Sequence, residues 1–176
     1  MVTRPFPFPV RSPRLTIRPA QREDMPGWEA LHSSAEERTH LNGPLVRSAA
    51  DWWAGNEMVT PEIEKILTVT MTSTGEFVGI CGYLICPWGE LEPYLMLKKE
   101  FSGKGLGSEV VSALVSVALD SLGVPSLRAV IAPMNIASLK LVKKLGFTFS
   151  EEHSAPDKWQ DKHHVYVVNK STYIAP

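Results

Sequence analysis

Cysteine is scarce in this chain, and only Cys81 and Cys86 occur among its 176 residues. They lie five positions apart in one predicted strand, so they point to opposite faces of it, because strand side chains alternate. This geometry disfavours an intrachain disulfide, and a reducing cytoplasm is predicted. The sequence also lacks Cys-x-x-Cys and His-Glu-x-x-His, and the late histidines His153, His163 and His164 form no recognisable ligand set. We therefore expect no metal.

Long hydrophobic runs and an excess of charge of one sign are absent too. The apolar stretches fall far below the roughly 20 residues of a membrane span, and the net charge is −1. Neither a membrane nor nucleic acid is therefore expected as a partner. The Pro-rich segment 1–11 lacks the apolar region of a signal peptide and is expected to be flexible. The length suits one domain over residues 1–176.

A glycine-rich run, Ser102-Gly103-Lys104-Gly105-Leu106-Gly107-Ser108-Glu109, is the most informative feature present. It joins the apolar segment Tyr94–Leu97 to an amphipathic helix predicted over Ser108–Ser121. Glycines at such a junction let the backbone turn tightly, and the first N–H groups of the helix point outward at the positive end of its dipole. Such a place binds phosphate or diphosphate. The spacing matches neither a P-loop nor a dinucleotide fingerprint, and a plain glycine turn before a surface helix is the alternative.

A second segment, Asn135–Phe147, reads Asn-Ile-Ala-Ser, then a largely apolar run, then Leu-Gly-Phe. Together with Ser102–Gly107, which has Ser where the pattern has Gln or Arg, it resembles the GNAT superfamily of acetyl-CoA-dependent N-acetyltransferases. The opening Ser12–Pro19 is closest in pattern to the branch that acetylates N-terminal alanine or serine of ribosomal proteins. The resemblance implies a mixed α/β (α+β) fold, with helices on both faces of a central, mostly antiparallel sheet. It also implies acetyl-CoA as cosubstrate.

The order of the predicted elements agrees with that fold, since strands come first in an antiparallel run and then alternate with helices. The predicted strands are Leu15–Arg18, Ile66–Thr72, Phe77–Ile85, Glu90–Leu97, Leu127–Ala132, Phe147–Glu151 and Val165–Asn169. The predicted helices are Arg22–His32, Ser48–Met58 with Ser48 as N-cap, Ser108–Ser121 and Ala137–Leu145. Residues 33–47, which contain Asn42-Gly43-Pro44, are predicted to form a loop.

The resemblance also assigns a cofactor site. It implies that N–H groups of the glycine-rich run hold the diphosphate and that the main chain of the preceding strand bonds the pantetheine arm. The expected cofactor-binding residues are Leu95, Met96, Leu97, Gly103, Lys104, Gly105, Leu106, Gly107, Ser108, Asn135 and Lys143. Asn135 is also a natural helix N-cap, and Lys104 and Lys143 are also typical solvated surface lysines. These alternatives stay open.

The catalytic acid departs from the family pattern. Many relatives carry Tyr seven residues after the asparagine to protonate the leaving thiolate, and this chain has Val142 there. Ser138 shares a helix face with Val142 and is our candidate for the group that hydrogen-bonds the thiol sulfur. An early-helix serine that bonds backbone is the alternative.

The catalytic base is assigned to Glu92. Some relatives carry Glu five residues before the asparagine, where this chain has Val130. Glu92 lies on a strand that faces the acceptor in the family, and partial burial of a carboxylate raises its pKa so that it can accept a proton. Glu90 shares its strand face and is either a spare base or an edge charge. No Cys/His pair is visible, which favours direct attack over an acyl-enzyme.

The acceptor stays open between a protein N-terminus and a small amine. Acidic side chains that could line its pocket are Glu90, Glu92, Glu151, Glu152 and Asp157. Trp88 is the aromatic residue most expected to be exposed. A non-catalytic acyl-CoA-binding sensor or subunit, or a plain nucleotide binder, is the alternative function. A homodimer is possible, and Val165–Val168 is either its pairing strand or a core strand.

Overall fold

The computed structural model describes residues 7–39, 44–58, 66–86, 88–153 and 163–176. In these ranges the strands are β1 Val10–Arg11, β2 Leu15–Pro19, β3 Leu67–Met71, β4 Phe77–Ile85, β5 Leu91–Leu97, β6 Ser126–Ile131, β7 Thr148–His153 and β8 His163–Asn169. The helices are α1 Met25–Ser33, α2 Ala49–Met58, α3 Leu106–Ser116 and α4 Ile136–Lys144. Asn42, Gly43 and Asp157 lie outside the described residues.

One eight-stranded sheet, in the order β1-β2-β3-β4-β5-β6-β8-β7, organises the molecule. Every neighbouring pair of strands is antiparallel except β5 and β6, which are parallel. The predicted mixed, mostly antiparallel sheet is therefore confirmed. Because β8 lies between β6 and β7, Val165–Val168 is an interior strand, and the homodimer stays a prediction.

Helices cover both faces of the sheet, as predicted. On one face α1 and α2 pack on β4 and β5, where Trp28 of α1 contacts the cluster of Ile80 and Met96. On the other face α3 lays an apolar stripe that includes Val110 and Leu114 against the sheet. None of the helices in the described ranges has the length and apolar character to cross a membrane.

Helix ends differ from the sequence predictions in ways that local chemistry explains. α3 begins at Leu106, two residues before Ser108, because Gly105 takes φ 79° as its N-cap and the helix follows at once. α1 begins at Met25 after a 3-10 turn, with Pro26 in its first turn, where the missing N–H costs no hydrogen bond. Ser48 caps α2 as predicted: its Oγ accepts from the Asp51 N–H at 3.2 Å.

Candidate active site

A gap opens between β5 and β6, although the two strands are neighbours in the sheet. The register pairs Leu91 with Leu127 and goes no further, whereas β5 pairs with β4 along its whole length, from Leu91 to Leu97. The second edge of β5 is therefore turned toward the gap with main-chain groups that β6 does not engage. Leu95, Met96 and Leu97, the residues predicted to bond the pantetheine arm, lie on this stretch.

The N-terminus of α3 has the form of an anion site. The N–H of Glu109 makes the first intrahelical bond, to Gly105 O at 3.3 Å, so the N–H groups of Leu106, Gly107 and Ser108 precede the regular helical pattern. Gly105, the N-cap, has no side chain to cap this end, and none of the described side chains makes a capping hydrogen bond there. Positive φ angles at Gly103 (72°) and Gly105 (79°) shape the turn before it. The predicted alternation of glycines therefore serves backbone geometry, and it leaves donors at the positive end of the dipole.

Gly107 meets a different requirement, which is close packing. A methyl group placed on it would come within 3.2 Å of Leu141 Cδ1 in α4 and 3.4 Å of Leu95 Cδ2 in β5. Its missing side chain lets the first turn of α3 lie against both elements. The predicted diphosphate residue Leu106 has its side chain buried in the core, so only its backbone faces the site.

The N-terminus of α4 lies at the same edge of the sheet, because α3 and α4 follow the carboxyl ends of the parallel strands β5 and β6. Asn135 caps α4, and its Oδ1 accepts from the Ser138 N–H at 3.1 Å. The capping role of Asn135 is thus confirmed, while its amide nitrogen remains a donor for a ligand. Ser138 is half-buried one turn from Val142, whose side chain is 5 % exposed.

The two predicted cofactor lysines extend over aromatic rings. Lys104 places its ammonium 5.8 Å from the centre of the Phe101 ring, and Lys143 lies 5.9 Å from the Tyr166 ring. Both side chains are exposed. Both remain near solvent, as a solvated lysine or a phosphate ligand requires, so these contacts leave both alternatives open.

Glu92 reaches across the gap between β5 and β6. Its Oε1 accepts from the Val130 N–H at 2.8 Å. Burial raises the pKa of Glu92 to about 7, and the hydrogen bond from Val130 opposes part of that rise. The Glu92 carboxylate therefore lies next to Val130, the position at which some relatives carry a glutamate.

Glu90, the spare candidate, is held in an ion pair. Arg128 and Ser126 both donate to it, the latter at 2.8 Å. Burial alone would raise the pKa of Glu90, but these hydrogen bonds outweigh it and the pKa lies below its usual value. Arg128 also approaches Glu151 at 3.4 Å. Glu90 is therefore charged and engaged, which makes it a poor proton acceptor beside Glu92.

An aromatic and basic cluster adjoins this ion pair. Trp88, which is 38 % exposed as predicted, lies 5.0 Å from the Arg128 guanidinium and 4.8 Å from the His153 ring. Arg128 was not predicted to be a site residue, since no local motif links it to Trp88 or Glu90. Within the described part of the chain, no group of three or more His, Cys, Asp or Glu side chains is arranged to hold a metal ion.

Tyr94 borders the same face of β5 as Glu92. Burial raises the pKa of its hydroxyl to about 12, and the nearby Arg38 acts in the opposite direction. Tyr94 packs against the buried cluster that contains Trp28, as do the partly buried Trp52 and Trp53. These tryptophans belong to the interface between the helices and the sheet, as large apolar side chains usually do.

Comparisons with known proteins agree with this geometry. The sequence profile of the family described as acetyltransferase (GNAT) domain matches residues 14–148. An uncharacterised N-acetyltransferase, p20 of Bacillus licheniformis, is 30 % identical over 140 residues, which cover 76 % of this chain and 79 % of the relative.

Two solved structures from Vibrio cholerae share the fold. A spermidine N-acetyltransferase in complex with CoA and spermine superposes with a TM-score of 0.77 at 14 % identity, over 92 % of this chain and 99 % of that one. A protein named as a candidate ribosomal-protein-serine acetyltransferase also gives 0.77, at 15 % identity, over 93 % and 98 %. The ribosomal-protein branch is therefore one of several structural neighbours.

Proposed function

Because the chain belongs to the GNAT acetyltransferase family, it is an N-acetyltransferase, and we propose that it transfers acetyl from acetyl-CoA to a primary amine by direct attack. The observation that carries the proposal is the half-buried Glu92 carboxylate in the gap between β5 and β6, with its pKa raised to about 7. A carboxyl group with such a pKa exchanges protons readily at neutral pH.

The cofactor end of the proposal rests on the two helix N-termini. The N–H groups of Leu106, Gly107 and Ser108 fit a diphosphate, and the free edge of β5 fits an extended arm that carries amides. Asn135 offers an amide nitrogen beside this edge while its oxygen caps α4. The exposed ammonium groups of Lys104 and Lys143 add positive charge. These residues together suit CoA.

The chemical step then balances as follows. An acceptor ammonium gives one proton to the Glu92 carboxylate, directly or through one water, and becomes a nucleophilic amine. The amine nitrogen bonds to the thioester carbonyl carbon, and the carbon–sulfur bond breaks as the tetrahedral intermediate collapses. The second proton of the nitrogen is lost to solvent, and the leaving sulfur takes a hydrogen bond from Ser138 and then a proton. No covalent enzyme intermediate is needed.

The acceptor belongs to one of two classes, a protein N-terminus or a small amine. The names of the two Vibrio cholerae neighbours span both classes. Glu151 and Glu152 supply negative charge on β7, and Arg128 offsets part of it at Glu90 and Glu151. A moderately cationic acceptor suits this balance better than a polycation. Free, buried Cys81 and Cys86 suit a reducing compartment, and we place the enzyme in the cytoplasm.

The deciding experiment is a turnover screen that measures CoA release from acetyl-CoA against peptides with free N-termini and a panel of small amines. We expect release with at least one acceptor, a drop of at least a hundredfold in Glu92→Gln, and a smaller loss in Ser138→Ala. Glu90→Gln is the matched control and should keep most activity. CoA binding without release against any acceptor would instead favour a sensor.

A further inference from the structure

Arg14, which directly precedes β2, is hydrogen-bonded to Glu109 in the first turn of α3. Its backbone N–H donates to Glu109 Oε1 at 2.8 Å, and its Nε donates to Glu109 Oε2 at 2.8 Å. Ser12 adds a bond from its hydroxyl to Glu109 Oε1 at 2.6 Å. Both oxygens of one carboxylate are therefore occupied by a segment 95 residues away in the chain. The start of α3 is fixed relative to the sheet by these contacts.

The same guanidinium also donates a hydrogen bond to the glycine-rich turn. Arg14 Nη1 donates to the carbonyl oxygen of Lys104 at 3.1 Å. In a trans peptide the carbonyl of one residue and the N–H of the next point in opposite directions. A hydrogen bond that holds the Lys104 carbonyl toward Arg14 therefore turns the Gly105 N–H away from Arg14. Gly103 and Gly105, which flank Lys104 at positive φ, have no side chains that could help to fix that plane.

The ion pair between Arg14 and Glu109 also offsets a negative charge at the N-terminus of α3. Glu109 is the acidic residue in the first turn of α3, where its negative charge opposes the binding of an anion. Burial alone would raise the pKa of Glu109, but the bonds from Ser12 and Arg14 outweigh it, so the carboxylate is charged. Arg14 supplies the compensating positive charge within the same contact.

We propose that Arg14 is a positioning residue for the diphosphate site: through Glu109 and the Lys104 carbonyl it orients the glycine-rich turn and offsets the carboxylate beneath it. The inference rests on the proposed function, since it concerns the diphosphate of acetyl-CoA. Arg14 acts on the N–H donors of the turn and takes no part in the acyl transfer. Its effect is therefore confined to ligands that carry a diphosphate.

The test compares acetyl-CoA with S-acetyl-pantetheine, a thioester that has the same reactive end and no diphosphate. In Arg14→Gln we expect KM for acetyl-CoA to rise about tenfold, the size of a lost charge-assisted contact, with kcat within twofold. The kcat/KM for S-acetyl-pantetheine should stay within twofold of the unaltered enzyme. Arg11→Gln, which removes an exposed arginine from the adjacent strand β1, is the control and should change neither substrate.

Arg14→Lys provides a second test in case Arg14→Gln does not fold, which circular dichroism and thermal melting would reveal. Lysine keeps the charge but cannot hold Glu109 and Lys104 together, so it should raise KM for acetyl-CoA about threefold to tenfold. An equal effect on both thioesters, or no effect on either, would overturn the positioning role alone. Failure of the unaltered protein to bind CoA in calorimetry would overturn the proposed function and this inference with it.

Discussion

At the scale of single residues, the environment of Glu92 separates it from Glu90 more sharply than their sequence positions do. The two carboxylates share a strand face, but Glu90 has Arg128 and Ser126 as donors, whereas the Val130 N–H is the donor to Glu92. An ion pair favours the charged form and burial disfavours it. One carboxylate is therefore held ionised, while the other changes protonation near neutral pH.

This difference predicts opposite effects of Glu92→Gln on activity and on stability. The pKa of Glu92 rises from 4.5 to about 7 in the folded protein, so the folded state holds that proton more tightly than the unfolded state. The stability that Glu92 contributes is present below pH 4.5 and is lost as the pH rises through 7, by up to about 3 kcal/mol. Glu92→Gln should therefore melt at a higher temperature than the unaltered enzyme at pH 8.

The kinetic half of this prediction concerns the pH profile. Activity of the unaltered enzyme should rise with pH through about 7, because the base must be deprotonated. Glu92→Gln should lose that limb along with most of kcat. Thermal melting at pH 5 and 8, and kcat/KM between pH 5.5 and 9, measure both halves. A variant that keeps the acidic limb would show that another group is the base.

Asn135 predicts a separable pair of effects. Asn135→Ala removes the acceptor for the Ser138 N–H and should cost about 1 kcal/mol of stability. Asn135→Ser retains a capping oxygen and should cost only a few tenths. Both variants lack the amide nitrogen, so both should weaken CoA binding about fivefold, as loss of one neutral hydrogen bond does. Calorimetry of CoA binding to Asn135→Ser tests the ligand contact. An unchanged CoA affinity would show that Asn135 caps α4 and does not bind the cofactor.

At the scale of elements, the contribution of the turn before α3 to CoA binding can be tested by comparing Gly105 with a glycine of similar backbone in another turn. Gly105 (φ 79°) and Gly75 (φ 74°, in the turn between β3 and β4) share a left-handed backbone. An alanine at either position should cost about 1–2 kcal/mol. Gly105→Ala should also weaken CoA binding by at least tenfold, whereas Gly75→Ala should not. Equal CoA affinities in the two variants would show that the turn does not shape the cofactor site.

Several elements were predictable from the sequence because their signals are local. The turn residues Thr72–Gly75 placed the antiparallel return strand β4 at Phe77–Ile85, and the glycine-rich run located the N-terminus of α3. Residues Val10–Arg11 and Lys99–Phe101 were not predicted to form a strand and a 3-10 turn, because segments of two or three residues carry no periodicity. Their structure depends on neighbours, such as the pairing of β1 with β2.

The contacts between distant segments were beyond sequence reasoning for a related reason. Glu109 and Arg14 are 95 residues apart, and Arg128 and Glu90 are 38 apart. Each is an ordinary charged residue in its own segment, and only the assembled sheet brings the partners together. Glu92 was chosen by its strand, but its position beside Val130 N–H could not be read from either strand alone.

At the scale of the whole molecule, the end of the chain closes the side of the fold that carries α3 and α4. The Ile174 N–H donates to Leu145 O at 3.1 Å, where α4 ends. The Tyr173 hydroxyl lies 2.5 Å from Ser112 Oγ and 3.1 Å from Ser116 Oγ on α3. The two helices whose N-termini form the proposed cofactor site are therefore both hydrogen-bonded, away from those N-termini, to the segment that contains Tyr173 and Ile174.

At Gly146 the neighbouring terminal segment leaves no space for a side chain, and the last prediction concerns this residue. Its φ is 82°, and a methyl group on it would lie 1.9 Å from the Thr172 carbonyl oxygen. Gly123, with φ 70°, has open space around the same position. Gly123→Ala should cost only the backbone strain, about 1–2 kcal/mol. Gly146→Ala adds a clash with main chain and should cost about 3 kcal/mol or more.

Urea unfolding of both alanine variants measures the difference in free energy of unfolding. If the terminal segment holds α4 in place, Gly146→Ala should also weaken CoA binding, because the strain is relieved by moving either the segment or the N-terminus of β7 beside α4. Gly123→Ala should bind CoA normally, since its turn lies at the far end of α3 from the glycine-rich run. Equal losses of stability would mean that the terminal segment yields freely and that the site does not depend on it.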